Sequence, residues 1–195
     1  MEQLDEKRFE RQVQRIETAI HARFQNVTDM LYGARAMSLA SEEVTPLEWS
    51  TYFKGLEGRY SKGILGLGHV KKVARSELTA FEKRMRQDGL PDFRIQRKGK
   101  KDWLYVVTSI EPSALNKGVL GLDVGSGDNR RQTADRAARE NTLALSYRIR
   151  LFYQGDEIPG YLLFLPISIS LLSVVYNLQK SISLCLCLSV PYIPL

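Results

Sequence analysis

Residues 92–110, DFRIQRKGKKDWLYVVTSI, decide the fold class. Two runs of aromatic and β-branched residues flank Lys98, Gly99 and Lys100, a pattern that predicts a β-hairpin turning at the glycine. A hairpin cannot belong to a purely helical protein, so everything around it is read as an accompaniment to an antiparallel sheet. On its N-terminal side, Leu78, Phe81 and Met85 share one helical face. Ser76 is placed to cap that helix, and Gly89 with Pro91 to end it. Further out, YSKGILGLGHV (60–70) reads as a buried strand, with Gly63, Gly66 and Gly68 marking where another backbone or a ligand comes close. It lacks the spacing and the lysine of a phosphate-binding loop. In TPLEW (45–49), Thr45 and Glu48 form a capping box with Pro46 at the first helical position, opening a helix that carries Trp49, Tyr52, Phe53 and Leu56.

At the start of the chain, Phe9, Val13, Ile16, Ile20, Phe24, Val27, Leu31, Ala34 and Met37 recur at steps of three and four from Leu4 to about Ala40. This predicts one long helix, near heptad spacing, whose apolar face packs on the domain or pairs with a second copy. Beyond the hairpin, Asp128 to Asn141 predicts a basic, alanine-rich helix. Strands follow at about Ala144 to Tyr153 and Tyr161 to Pro166, around a turn at Gln154, Gly155 and Asp156. The order is α+β: a long N-terminal stalk helix, then a PAS-like, mostly antiparallel sheet with flanking helices. The expected divisions are a stalk over 1–40, a sensor domain over 41–166 and an atypical apolar tail over 167–195, truncated or read in an altered frame.

The tail is set apart by charge, since after Glu157 the chain carries only Lys180. The uncharged run Ile158 to Gln179 approaches membrane-spanning length, but Pro159, Gly160, Pro166, Asn177 and Gln179 make it a poor helix. SISLCLCLSVPYIPL (181–195) reads as strand-like or unstructured, and Cys185 with Cys187 suits neither an ordinary disulfide nor a zinc knuckle. The opening MEQLDEKRFERQ has no apolar core of a secretory signal.

Chemistry-bearing patterns are scarce. Ser109, Ser126 and Ser146 lie outside any nucleophile elbow, and Glu42 and Glu43 are adjacent, so no catalytic set emerges. His21 and His69 have no partners at metal-ligand spacing, so neither a metal nor a cofactor is expected. The net charge of +6 is spread along the chain. The run Arg94, Arg97, Lys98, Lys100 and Lys101 suits a solvated turn, and Arg130, Arg131, Arg136 and Arg139 alternate with Asp128, Asp135 and Glu140 at pairing distance. Nucleic acid is therefore not an expected partner.

A distributed set of strings resembles the CHASE family, the extracellular sensing domain associated with cyclases and histidine kinases. The strings are RFERQVQRIETAI (8–20), GILGLGHV (63–70), FEKRMRQDGLPDFRI (81–95), KKDWLYVVTSIEP (100–112), VLGLDVGS (119–126), RRQTADRAARENTLALS (130–146) and GYLLFLP (160–166), in the family's own order. The resemblance implies an extracytoplasmic domain of a transmembrane receptor such as a sensor histidine kinase or diguanylate cyclase, facing the periplasm or extracellular space. Such a domain binds a small molecule, adenine-type or another metabolite, and signals through the stalk helix as a homodimer. The chain departs from the pattern in lacking evident flanking membrane helices and an output domain, and in ISISLLSVVYNLQKSISLCLCLSVPYIPL (167–195), which replaces the usual closing segment and with it the final strand. A receptor remnant or interaction protein that keeps the fold without ligand binding is the alternative reading.

By the same resemblance the ligand pocket lies between the central sheet and its covering loops. Asp102 and Thr108 are the favoured polar contacts, Leu122 a backbone partner and Tyr105 an apolar wall. Strand alternation puts Asp102, Leu104, Val106 and Thr108 on one face and Trp103, Tyr105 and Val107 on the other, so all the candidates meet only across a bulge. Asp102, beside Lys100 and Lys101, also fits a solvated hairpin position.

Overall fold

The computed structural model describes residues 2–41, 44–56, 64–96, 98–167 and 183–186. Helix α1 spans Glu2–Ala40, 39 residues, and so extends about 58 Å. Its two halves meet different surroundings. Val27, Met30, Leu31 and Ala34 are buried, whereas Phe9, Val13, Ile16, Ile20 and Phe24 are between 45% and 67% exposed.

Helix α2 (Pro46–Leu56) begins as its capping box requires. Glu48 accepts from the Thr45 amide at 2.8 Å, and the Thr45 hydroxyl accepts from the Glu48 amide at 3.2 Å. The Thr45 amide, and then the Thr45 hydroxyl donating to the same carboxylate at 2.9 Å, hold the Glu48 carboxyl below its usual range. The helix then delivers two aromatic anchors. The fully buried Trp49 donates Nε1 to the Leu67 carbonyl at 3.0 Å, and the Tyr52 hydroxyl donates to the Met30 carbonyl of α1 at 2.7 Å. That hydroxyl occupies the space a side chain at Gly33 would need, which explains a glycine inside α1.

The main sheet contains β1 (Leu67–Ala74), β2 (Trp103–Glu111), β3 (Ala144–Leu145), β6 (Leu163–Ile167) and β7 (Ser183–Leu186). They stand in the order β2-β1-β7-β6-β3, every neighbouring pair antiparallel. Two further strands, β4 (Ile149–Tyr153) and β5 (Asp156–Gly160), form a separate hairpin. Its turn has positive φ at both Gln154 (54°) and Gly155 (94°), the pattern whose twist matches a two-residue hairpin loop.

Alternation divides the core between the two faces of the sheet. Leu67, Leu163, Leu165 and Ile167 pack with Trp49 and the buried half of α1. Val73, Leu104 and Val106 pack with Leu78, Phe81 and Met85 of α3 (Leu78–Gln87). On the opposite side, Val70, Tyr105, Val107 and Phe164 meet Ala134 and Ala137 of α4 (Asp128–Glu140). The sheet is thus covered on both faces, and its α+β class is as the sequence indicates.

Four local expectations are corrected. Residues 92–110 do not pair as a hairpin: β2 pairs with β1, and the preceding segment bonds to the 121–123 loop through Gln96 N to the Gly121 carbonyl and Asp123 N to the Gln96 carbonyl. The local turn loses because the nine-residue run 103–111 finds in the eight-residue β1 a partner along its whole length. Ser76 does not cap α3; it sits in a 3-10 turn (Arg75–Glu77), and the cap position is Glu77. The expected strand over 144–153 is split into β3 and β4. The Ser146 hydroxyl breaks the ladder there, accepting from the Leu162 amide at 2.9 Å. Finally, the tail provides a closing strand. Cys185 lies opposite both His69 and Leu165, so β7 satisfies the backbone edges of β1 and β6 together. No helix among the described residues is long and apolar enough to cross a membrane.

A candidate ligand pocket beneath the hairpin

One irregularity in β2 shapes the site. His69 pairs with Ser109 while Val70 pairs with Val107, so Thr108 is an extra residue on β2, a bulge. Beyond it the alternation shifts by one. Tyr105 and Val107 share their face with Ile110, and Thr108 turns to His69, whose Nδ1 lies 2.9 Å from its hydroxyl.

Above this face lies a cavity of about 50 Å³. Its floor is Gly66 and Ile110, one wall is Val119, Leu122 and Val124 from the loop after β2, and its roof is Leu151 and Phe152 of the β4–β5 hairpin, with Leu162 at the hairpin's end. A side chain at Gly66 would meet Ile110 at 3.1 Å and Asn116 at 3.2 Å, so the glycine keeps this floor open. Two polar side chains complete the lining. Asn116 directs Nδ2 to the carbonyls of Leu65 (3.0 Å) and Pro112 (2.9 Å), fixing the loop to the entrance of β1. Arg130 reaches from the first turn of α4 to the Arg150 carbonyl of the hairpin. The Gln154 amide donates to the Leu115 carbonyl at 3.0 Å. The roof is therefore held by side-chain and loop bonds instead of a ladder with the main sheet, an arrangement that leaves it the part of the site best able to move.

Beside the cavity a buried knot supports the wall. Asp123 is wholly inaccessible, and its carboxylate accepts the amides of Gly99 (2.9 Å), Tyr105 (3.0 Å) and Gly125 (3.0 Å). Arg131, also buried, donates Nε to the Gly125 carbonyl and Nη2 to the Trp103 carbonyl, and lies over the Tyr105 ring. The Tyr105 hydroxyl donates to Asp135 at 2.6 Å. Burial, then the hydrogen bond and charge of Asp135, push the phenol well above its usual range.

The sign of that shift makes a prediction. The folded state holds the Tyr105 proton more tightly than the unfolded state, so this stabilisation is complete below the ordinary value of 10.0 and is lost as pH rises beyond it. Urea melts between pH ~9 and ~11 are expected to show stability falling more steeply in the native chain than in Tyr105→Phe. Equal slopes would contradict the buried assignment.

Of the four residues singled out from the sequence, Leu122 lines the cavity, and its carbonyl accepts from the Val107 amide at 3.0 Å. Tyr105 belongs to the neighbouring knot, Thr108 to the His69 pair, and Asp102 is exposed at the entry to β2, its carbonyl accepting from the Arg75 amide. The arginines of α4 also differ from the expectation of local charge pairing. Arg139 meets Glu140 at 3.3 Å, while Arg130, Arg131 and Arg136 donate to backbone carbonyls. Asn116, Arg130, Leu151 and Phe152 were not legible as site residues, because a loop and a detached hairpin bring them together across the chain. Among the described residues no group of three or more His, Cys, Asp and Glu could hold a metal ion.

The family model of the CHASE domain matches residues 42–179, a span that contains every residue lining the cavity. No curated protein matches the chain.

Proposed function

The chain belongs to the CHASE-domain family, the extracellular sensing domains of signalling receptors, and on that premise we propose that it binds a small molecule in the cavity beneath the β4–β5 hairpin and passes the event to α1. The observation that carries this reading is the cavity's construction: mostly apolar walls, two polar side chains and a roof outside the main sheet. A ligand contacting both floor and roof favours the closed arrangement by its differential affinity for it. The sheet face opposite the cavity is packed on α1, so a change in sheet twist is felt by the stalk.

The receiving partner in this proposal is a second copy of the chain. Phe9, Val13, Ile16, Ile20 and Phe24 follow steps of four, three, four and four, close to a heptad seam, and form a continuous exposed stripe. Charged Ile16→Glu with Ile20→Glu is expected to convert a dimer to a monomer in sedimentation equilibrium while leaving the melting of the domain unchanged. A native chain that is monomeric at all accessible concentrations would contradict the dimer.

Ligand binding is tested by a thermal-shift screen of small metabolites, adenine-type compounds included. At a hundred times Kd, a ligand specific for the folded state adds ~2.7 kcal/mol, or roughly 5–10 °C for a chain of this size. That shift should disappear in Val119→Phe, which fills the cavity from its partly exposed wall. A cooperative melt that no compound moves would instead support a protein that keeps the fold without sensing.

A further inference from the structure

We propose that the molecule taken by this cavity is small and electrically neutral, a short hydrocarbon body whose hydrogen-bond donor meets the side-chain oxygen of Asn116, as in a short-chain primary amide or alcohol. The inference rests on the reading of the cavity as the ligand site, and three features of the lining narrow the class.

The first is the bonding role left to Asn116. Its Nδ2 donates to the Leu65 carbonyl at 3.0 Å and the Pro112 carbonyl at 2.9 Å, so both amide hydrogens are engaged in holding the loop to the entrance of β1. Two carbonyl partners also settle which end of the amide is nitrogen. What this side chain can offer a ligand is Oδ1, which only accepts. The amide stands over the cavity floor: a Cβ at Gly66 would lie 3.4 Å from Oδ1. Asn116 is only 6% exposed, so a ligand group that reaches this oxygen has left bulk water and must bring a hydrogen of its own.

The second is charge. A carboxylate has no hydrogen to give Oδ1 and would set oxygen against oxygen. Arg130, the other polar side chain of the lining, already donates to the Arg150 carbonyl, where it ties the roof to α4. An ammonium group could donate to Oδ1, but it would share apolar surroundings with the Arg130 guanidinium, and like charges there are costly. A neutral N–H or O–H donor avoids both costs.

The third is size. A water-sized group takes ~10–15 Å³ of such a cavity, so about 50 Å³ accommodates roughly four or five non-hydrogen atoms. A body of a few carbons with one polar end fits between Ile110, Val119 and Phe152. A two-ring heteroaromatic fits only if the hairpin is displaced.

The test is a methyl and amide NMR titration of the whole chain with propionamide and 1-butanol, against 2-butanone, propionate and butylammonium at constant ionic strength. Propionamide, 2-butanone and propionate share one shape and differ in a single group, which donates, is inert or is charged. Saturable shifts at Ile110, Val119 and Leu122 are expected with the amide and the alcohol, and none in Val119→Phe. Loss of the donor in 2-butanone should weaken binding about tenfold or more, and the two ions should bind more weakly than the amide. Because that comparison is made in the native chain, it does not depend on how a variant at Asn116 folds. The ketone or either ion binding as tightly as propionamide would overturn the class, as would amide binding indifferent to Val119→Phe. If the broad screen finds a ligand that Val119→Phe blocks while neither propionamide nor 1-butanol binds, the class fails and the sensing site stands. If no screened compound, amide or alcohol binds, both readings fail.

Discussion

Gly121→Ala is expected to destabilise the domain by about 3 kcal/mol or more, enough to unfold much of the population at moderate urea. Gly121 has φ of +77°, in the left-handed region that a side chain disfavours, and a Cβ built there would fall inside the van der Waals surface of the Arg94 carbonyl oxygen. The clash is with the backbone of Arg94, not with a side chain that could turn away. The Gly121 amide donates to Val107 of β2, and its carbonyl accepts from Gln96, so the residue is pinned where the 92–96 segment, its own loop and β2 come together. Relief would require separating those segments. Gly118, with open space around it and no positive φ, is the matched control and should lose no more than about 0.5 kcal/mol. Urea midpoints of the two variants, with unchanged m-values, measure the difference. A Gly121→Ala midpoint as close to native as that of Gly118→Ala would contradict the geometry.

Asp123→Ala is expected to cost about 3–5 kcal/mol. It removes one carboxylate but strands three amides, those of Tyr105 and Gly125 in the buried interior and that of Gly99 at a half-buried position. Each buried orphan donor costs ~1–3 kcal/mol, and partial relaxation of the loop keeps the total below the full sum. Asp123→Asn retains one acceptor and should fall between the two. Amide exchange supplies the local signature: Gly99, Tyr105 and Gly125 should exchange faster than the rest of β2 in both variants. Because Val124 and Leu122 flank this residue in the wall of the cavity, ligand affinity should decline with it. Native-like protection of all three amides in Asp123→Ala would contradict the role of the carboxylate.

What could be read from the chain follows the range over which each signal acts. Periodicity and capping are local, and they placed α1, α2 and α4, the Gln154–Gly155 turn and the buried faces of α3. Pairing is not local. The turn at Lys98 to Lys100 is plausible on its own, but β2 has a better partner in β1, which leaves Phe93 and Ile95 to join the cluster around α3. The same limit applied to Ser183–Leu186, whose alternation is weak in isolation and becomes a strand because β1 and β6 each present it an edge. For the site, Leu122 was within reach through its neighbourhood in the family pattern. The bulge at Thr108, which turns Ile110 to the cavity and Thr108 to His69, has no marker in WLYVVTSIE. Arg130 was legible only as one of four basic residues on a helix; what distinguishes it is the hairpin that α4 happens to face.

The proposed site holds a small molecule between the sheet and the β4–β5 hairpin. Its most direct test is an amide and methyl NMR titration of the full chain with the best compound from the screen. Saturable shifts are predicted at Ile110, Val119, Leu122, Leu151 and Leu162, with slower exchange of the Ile149–Gly160 amides at saturation. Shifts confined to another surface, with the hairpin amides unchanged, would contradict it.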